Sequence, residues 1–485
     1  MLKLVSLLLF VAISAQADFT CPTALITQGG SNTGNLPTGA TSPLAVPTGT
    51  NCTIRFTIPK GYALQFDISG SSTSSLDVVT VLDNTGGLRT IINNSVVLPN
   101  QAIGWMGAGS AAIQVIGATG KSTFFTKYTY KSLAGFKQTK KNTGEYVALK
   151  EVKGDVYYTF TSSKNDNVRA TIGLLAGSSD TTTQQFFVYN GADLTTADMI
   201  GTLDEVSKQG VASGGNSLSI VNLYGVDSTS YVLANDASTV RGSRYSVVMT
   251  RSGRAVNASL TDLNVGSMYT FICTDCNRFF LTQFAFDRSR TYSNVAYTTF
   301  QGQTPTHRME KLINYTYMDF TSRQIPQLLP TNAFTMTLYM SGIRILIAAT
   351  NDYSEWKTPF DGRKGYIFSP NLWNPTGPFA FSEEFRNDSQ LYNFQLNMDR
   401  MTFGSNSDTL KLKIGPSSGN PSVDNTYPQD KSSTGKVSSN GNFMSLVYTG
   451  SQSADIRLSF EMKVASGSAS IGILASLALI LHRLL

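Results

Sequence analysis

The sequence predicts an all-β protein built from tandem jelly-roll β-sandwich domains. Three observations lead to this prediction. Apolar and polar residues alternate with the period of half-buried strands, Gly-rich turns separate these strands, and two strand-and-turn markers recur about every 110 residues. Helical patterns of any length are missing from the chain, which argues against an α/β fold.

The clearest alternation lies between residues 408 and 464. In DTLKLKIG (408–415), every second residue of the strand core is apolar, with lysines between. In ADIRLSFEMKV (454–464) the apolar positions are Ile456, Leu458, Phe460, Met462 and Val464. Side chains two residues apart share one face of a strand, so each segment hides one face and exposes the other.

Two markers repeat along the chain with the same period. A strand ending in a glycine turn recurs at Gly87, Gly191, Gly302 and Gly415, in steps of 104, 111 and 113 residues. A second strand and turn recurs at Gly117, Gly225, Gly342 and Gly450, in steps of 108, 117 and 108 residues, and a further strand follows each. The two series predict four domains, at residues 18–132, 133–252, 253–358 and 359–464.

The two ends of the chain carry targeting features. Residues 1–17 combine Lys3, an apolar run and an Ala-Gln-Ala sequence, which predicts a secretory signal peptide. Residues 465–485 begin with small residues and continue as a hydrophobic tail, which favours a GPI-attachment signal with lipid attachment near Ser466 or Gly467. The alternative is a plain hydrophobic tail. We therefore expect an extracellular protein, secreted or anchored to the outer cell surface, with the membrane contacted through that anchor.

Composition fits an exported binding protein rather than a nucleic-acid binder. The chain has 38 Lys and Arg residues against 32 Asp and Glu, and loss of both ends removes Lys3 and Arg483. This small excess predicts no nucleic-acid partner. Five sequons predict N-glycosylation, at Asn51, Asn93, Asn257, Asn314 and Asn387.

The four cysteines suit an oxidising compartment. Cys21 and Cys52 lie in the first predicted domain, and Cys273 and Cys276 lie in the third. Pairing within each domain is the simplest arrangement, although two other connectivities remain open from the sequence. The Cys-Thr-Asp-Cys segment also resembles a redox pair, but its flanking phenylalanines indicate strands rather than the helix that such a pair uses.

Catalytic motifs have weak support, so we expect no enzymatic activity. Ser417 lies in a Gly-x-Ser-x-Gly string, which would suit a hydrolase, but the string continues as a Gly- and Pro-containing loop rather than a helix. His307 is the one histidine between the two processed ends, and alone it supports neither acid–base catalysis nor a metal site. Tyr353, Trp356 and Trp373 would suit either sugar stacking or packing between domains.

Two parts of the chain resemble a known family. In the last domain, GRKGYIFSP (362–370) is similar to the opening of CUB domains, and the strands at 408–415, 439–450 and 454–462 are similar to their later strands. In the first domain, Cys21, Cys52 and the Ile-Pro-Lys-Gly-Tyr turn at 58–62 resemble the CUB-like domain of secreted nematode proteins.

The resemblance implies a jelly-roll sandwich with an extracellular binding role, and for the nematode group a part in innate immune and stress responses without a known enzymatic activity. Calcium-binding CUB domains use a Glu and two Asp residues. Here Asp399 and Asp408 match, and no Glu stands clearly in place. We therefore expect no metal and no cofactor.

The leading functional hypothesis is a glycoprotein of tandem CUB-like modules that recognises a glycan or an extracellular protein in innate immune or stress responses. Several weak sites on one chain would gain strength from avidity. The alternative is a structural or adhesive component of an extracellular coat.

Overall fold

The computed structural model describes residues 19–29, 31–72, 74–83, 88–92, 98–262, 266–291, 294–307, 310–319, 321–428 and 435–465. The predicted signal peptide (1–17), Asn93, Ser466 and Gly467 lie outside these ranges. Within them almost all regular structure is β-strand, arranged in several sheets. The predicted all-β fold class is therefore confirmed.

Ten strands in the first predicted domain form two five-stranded sheets. Their bounds are β1 Ile26–Thr27, β2 Thr33–Leu36, β3 Leu44–Ala45, β4 Thr50–Ile58, β5 Tyr62–Ser71, β6 Val78–Leu82, β7 Leu88–Ile92, β8 Leu98–Met106, β9 Gly109–Gly117 and β10 Thr123–Ser132. One sheet has the order β1-β4-β9-β6-β7, and the other has β2-β10-β5-β8 with β3 paired to β10. Buried side chains from both sheets, including Phe56, Phe66 and Ile113, meet in one core.

The second predicted domain contains nine strands and a short helix. Their bounds are β11 Lys137–Asn142, β12 Tyr146–Ala148, β13 Val156–Thr161, β14 Val168–Leu175, β15 Phe186–Asn190, β16 Asp198–Thr202, α1 Leu203–Gln209, β17 Ser217–Asn222, β18 Tyr231–Asp236 and β19 Arg244–Thr250, with 3₁₀ helices at Leu149–Glu151, Thr181–Gln185 and Ala237–Val240. One sheet has the order β11-β13-β17-β15-β16. The other strands of this domain belong to a larger sheet.

The third predicted domain contains eight strands. Their bounds are β20 Ala255–Thr261, β21 Ser267–Cys273, β22 Phe279–Phe286, β23 Tyr297–Gly302, β24 Lys311–Thr316, β25 Gln327–Leu329, β26 Ala333–Tyr339 and β27 Gly342–Ala349, with a 3₁₀ helix at Thr321–Arg323. One sheet has the order β20-β27-β22-β25.

A single eight-stranded sheet runs through the second and third domains, in the order β12-β18-β14-β19-β21-β26-β23-β24. The two halves join where β19 pairs in parallel with β21, from Arg244 opposite Ser267 to Thr250 opposite Cys273. Backbone hydrogen bonds thus connect two of the predicted domains, and the domain boundaries themselves remain a prediction.

The fourth predicted domain contains eight strands, with one short helix after the first of them, and a further short helix lies just before the domain. Their bounds are α2 Ser354–Lys357, β28 Arg363–Phe368, α3 Pro370–Trp373, β29 Phe381–Arg386, β30 Tyr392–Thr402, β31 Thr409–Gly415, β32 Val423–Pro428, β33 Gly435–Gly441, β34 Phe443–Thr449 and β35 Asp455–Val464. The strands form two four-stranded sheets, β28-β35-β30-β33 and β29-β34-β31-β32. The alternating apolar residues of β31 and β35 are buried as predicted, except for Val464, which is 41% exposed at the end of its strand.

The two repeated markers correspond to one structural relationship. The strands that carry them are antiparallel neighbours in all four domains: β6 with β9, β15 with β17, β23 with β26, and β31 with β34. The strand after the second marker then joins the other sheet in each case, as β10, β18, β27 and β35. This shared connection is what tandem copies of one sandwich fold would produce.

The helix α1 was not predicted. Thr202 accepts a hydrogen bond from the Glu205 N–H at 3.4 Å, and the Glu205 carboxylate accepts one from the Thr202 N–H at 2.9 Å. Gly210, with φ of 68°, ends the helix. This capping box is a local sequence signal, but a seven-residue helix is too short to show a helical period.

Among the described residues, no helix has both the length and the hydrophobicity needed to span a bilayer.

Asp180 fixes a turn in the second domain. Its carboxylate accepts hydrogen bonds from the Thr182 N–H at 2.8 Å and from the hydroxyls of Ser228 and Ser230 at 2.6 and 2.7 Å. Burial opposes ionisation, but the hydrogen bonds outweigh it and hold the pKa of Asp180 well below its ordinary value.

The stabilisation from Asp180 should depend on pH. Because the pKa is lowered in the folded state, the contribution is complete above the unfolded value of about 3.9 and is lost as the pH falls through the folded value. We expect Asp180→Asn to lower the melting temperature near neutral pH, and the difference from wild type to shrink below about pH 4. Asp193→Asn, in an exposed turn of the same domain, is the control. A difference that stays constant into strong acid would contradict this.

Candidate functional site

A cleft of about 400 Å³ lies where the third and fourth domains meet. The third domain contributes residues from the loops before β22 and before β26, and the fourth contributes β28, the segment after α3 and the start of β29. Its polar and aromatic lining includes Asn277, Arg278, Thr331, Asn332, Tyr366, Phe368, Asn374, Thr376 and Glu383. Ligand sites occur preferentially in such clefts between domains.

A disulfide-closed loop positions the third-domain side of this cleft. Cys273, at the end of β21, is bonded to Cys276, with a Cα–Cα distance of 5.6 Å. The N–H of the next residue, Asn277, donates to the side chain of Asn351 at 2.8 Å. Arg278 follows directly before β22. The disulfide and this hydrogen bond therefore hold Asn277 and Arg278 at the cleft.

Two contacts position the fourth-domain side. The side-chain amide of the buried Gln327 donates to the Tyr366 carbonyl and accepts from the Tyr366 N–H, both at 2.9 Å. Asn374 accepts hydrogen bonds from the N–H and hydroxyl of Thr376, at 3.1 and 2.9 Å, and from the amide of Gln303 at 3.0 Å. The cleft is therefore held by bonds that cross between the two domains.

Arg278 and Glu383 supply the charge in the cleft. Arg278 Nη1 lies 3.5 Å from Glu383 Oε1, and the indole N–H of Trp356 donates to Glu383 Oε2 at 2.7 Å. Burial raises the pKa of Glu383, while the Trp356 hydrogen bond and the charge of Arg278 act in the opposite direction. The Glu383 side chain is 3% exposed and that of Arg278 is 35% exposed. Guanidinium N–H donors thus remain accessible to a ligand.

The predicted aromatic residues prove to be packing residues. Trp356 is buried against Phe385 and Phe460, at ring distances of 5.2 and 6.0 Å. Trp373 is fully buried against Phe368, and Tyr353 packs on Phe280. Of the two alternatives left by the sequence, the structure supports packing. Tyr366, Phe368 and Phe381, which the sequence did not single out, are the aromatic side chains that line the cleft.

The remaining predicted site residues are dispersed. Asn51, Asn257 and Asn314 are exposed on strands, and Asn387 is half-buried with its side chain bonded to Ser389. Glycosylation of these positions remains a prediction.

The cysteines of the first domain are also joined, Cys21 to Cys52, with a Cα–Cα distance of 5.6 Å. Ser417 is exposed in a loop.

The two candidate calcium ligands are not brought together with further acidic groups in the described residues. Asp399 is exposed, whereas Asp408 is 1% exposed. The Asp408 carboxylate accepts hydrogen bonds from the Tyr448 hydroxyl at 2.9 Å and from the Ser405 N–H at 3.0 Å. These bonds give Asp408 a structural role.

A different group of potential metal ligands does come together, and it contains His307 with Asp166 and Asp236. No local sequence motif indicates this cluster, because its successive members are about 70 residues apart along the chain.

Comparison with known proteins identifies the first domain. Residues 16–134 match the family model of the CUB-like domain, close to the predicted range 18–132. No curated protein matches the chain. The similar solved structures include the CUB1-EGF-CUB2 fragment of human MASP-1/3, with 9% identity, 66% of this chain and 100% of that chain covered, and a TM-score of 0.17.

Two other solved structures match over a large part of the chain. The triple jelly-roll turret protein of an archaeal virus has 8% identity, 87% and 83% coverage of the two chains, and a TM-score of 0.16. The extracellular region of zebrafish Gpr126/Adgrg6 has 10% identity, 69% and 53% coverage, and a TM-score of 0.20. No argument rests on scores this low. The family match is therefore the informative comparison, and it shows that residues 16–134 of this β-sandwich protein match the CUB-like domain.

Proposed function

We propose that this protein is an exported, non-enzymatic binding protein of four tandem CUB-like modules, which recognises a glycan through the cleft between its third and fourth modules. It is secreted, or held at the outer cell surface by its C-terminal segment, and acts in innate immune or stress responses of the kind associated with secreted nematode CUB-like proteins. CUB-like domains generally bind protein or glycan ligands, and the first module matches that family. Disulfides are typical of extracellular proteins.

The observation that carries the proposal is the composition of the cleft around Arg278. Side-chain amides, hydroxyls and a guanidinium lie beside the aromatic rings of Tyr366 and Phe368. Glycans present hydroxyl groups around apolar ring faces, so they match polar side chains set beside aromatic surfaces. A cleft of about 400 Å³ suits one or two sugar rings better than a flat protein surface.

Arg278→Ala should weaken glycan binding about tenfold to 100-fold, because a hydrogen bond to a charged group contributes about 1.5–3 kcal/mol. The exported chain would be applied to immobilised purified glycans and to microbial envelopes, and its affinity measured for the best ligand. Arg288→Ala is the matched control, since Arg288 is an exposed arginine of the same module outside the cleft lining.

Two outcomes would contradict the proposal. Equal losses in the two variants, or no loss in Arg278→Ala, would place recognition outside the cleft. Failure of the wild-type chain to bind any glycan or envelope would favour the alternative role as a structural or adhesive component of an extracellular coat.

A further inference from the structure

Three side chains converge at the junction of the second and third modules. Asp166 lies just before β14, Asp236 ends β18, and His307 lies on the chain between β23 and β24. His307 Nε2 is 2.9 Å from Asp236 Oδ2 and 3.6 Å from Asp166 Oδ2. The three atoms lie within 4.8 Å of one another. Ligand atoms around a tetrahedral zinc ion are about 3.4 Å apart, so this spacing suits coordination of a single ion.

The cluster lacks positive charge. In the described part of the chain, His307 is the sole ion-pair partner of either carboxylate. Even a protonated imidazole would supply one positive charge for two carboxylates. Asp236 is 7% exposed, and its second oxygen, Oδ1, is buried with no hydrogen-bond partner. An unpaired buried carboxylate oxygen is costly, and a divalent cation would satisfy both its charge and its coordination.

Neighbouring polar groups orient the cluster. The N–H of Ser238 donates to Asp166 Oδ2 at 3.2 Å, and the Ser238 hydroxyl donates to the same oxygen. The fully buried amide of Asn235 donates to the Pro305 carbonyl at 3.1 Å, which holds the segment that carries His307 against the second module. Hydrogen bonds from neighbouring groups to the ligand residues are characteristic of metal sites.

An ion could enter this cluster from solvent. Asp236 and His307 border a cavity of about 350 Å³, and the His307 side chain is 37% exposed. Thr143, Ser163 and Thr306 line the same cavity, and water there would complete the coordination sphere. Lys164 also lines it, but its exposed ammonium forms no ion pair with Asp166 or Asp236.

We propose that Asp166, Asp236 and His307 bind one divalent transition-metal ion, zinc being the best match, and that this ion clamps the third module onto the second. One imidazole nitrogen with two carboxylate oxygens is a zinc ligand set, whereas calcium and magnesium prefer oxygen ligands alone. This proposal is independent of the glycan proposal, because the cluster and the cleft share no residue.

Calorimetric titration of the chelator-treated exported chain with zinc chloride should show one ion bound per chain. His307→Ala should weaken zinc binding about 100-fold, and Asp166→Asn about tenfold or more. His307 is partly exposed, so its replacement should leave the fold intact. Asp227→Asn is the matched control, because Asp227 is an exposed carboxylate of the second module outside the cluster. Zinc should also raise the melting temperature of the wild-type chain but not that of His307→Ala.

Three results would overturn the proposal. The first is a wild-type chain that binds no zinc, which would leave His307 as an ordinary ion-pair partner of the two aspartates. The second is zinc binding of equal strength in His307→Ala, which would place the ion elsewhere. The third is tighter binding of calcium than of zinc, with no effect of His307→Ala, which would indicate an all-oxygen site.

Discussion

Trp356→Ala is expected to lower the free energy of unfolding of the fourth module by about 3–5 kcal/mol, the usual cost of removing a buried aromatic side chain. Trp356 is 1% exposed and fills the space between Phe385 and Phe460. The substitution also leaves the buried Glu383 without its indole hydrogen bond. Arg363, whose guanidinium lies 5.1 Å from the Trp356 ring, loses one wall of its aromatic surroundings. Denaturant unfolding followed by fluorescence or circular dichroism would measure the loss.

Trp356→Phe separates the two contributions. Phenylalanine keeps much of the apolar volume but cannot donate to Glu383, so we expect a smaller loss of about 1–3 kcal/mol. Tyr427→Ala, on the outer strand β32, should cost less, about 1 kcal/mol, because Tyr427 packs against the same core but is only partly buried. A loss below about 1 kcal/mol for Trp356→Ala would show that the residue does not support the core.

Removal of the Cys21–Cys52 disulfide by a double Cys→Ser substitution should cost the first module about 4 kcal/mol. The bond closes a loop with a sequence separation of 31, and the chain-entropy cost that it removes from folding rises with loop length. It also holds the N-terminal segment to β4, with which β1 shares only two residue pairs. Thermal unfolding of the purified chain would show the effect as an earlier transition.

The second disulfide provides an internal comparison. Cys273 and Cys276 are separated by 3 positions, so the same reasoning gives their double Cys→Ser variant a cost of only about 2 kcal/mol. A larger loss of stability for the short loop than for the long one would contradict the reasoning. The short loop should instead show its effect on glycan affinity, because it carries Asn277 and Arg278 into the cleft.

Local patterns predicted the strands well because the period of two follows directly from burial. The apolar residues of β31 lie in the core, and the glycine markers identified strand pairs that prove to be neighbours in all four predicted domains. Val464 departs from the alternation of buried and exposed residues because it lies at the end of β35, where the strand is no longer covered by the core.

Pairing between modules was not predictable in the same way. β19 and β21 are joined by backbone hydrogen bonds, which any two buried strands can form. The pattern of side chains in the sequence therefore does not indicate which strands pair.

The candidate sites were harder to predict for a related reason. A tryptophan that stacks on a sugar at the surface and one that packs inside the protein look alike in the sequence. Only the three-dimensional packing shows that Trp356 and Trp373 are buried. The cleft and the His307 cluster each combine residues from two modules, so neither has a local motif. Arg278 could have attracted attention as a charged residue next to a disulfide loop, but its partner Glu383 is more than 100 positions away.

The shared sheet of the second and third modules also determines how the protein responds to tension. β19 and β21 run in the same direction. The N-terminal end of β19 and the C-terminal end of β21 therefore lie at opposite ends of the row of hydrogen bonds that joins the two strands. A force that pulls the chain from both sides therefore acts in shear on all of these hydrogen bonds together, rather than opening them one after another.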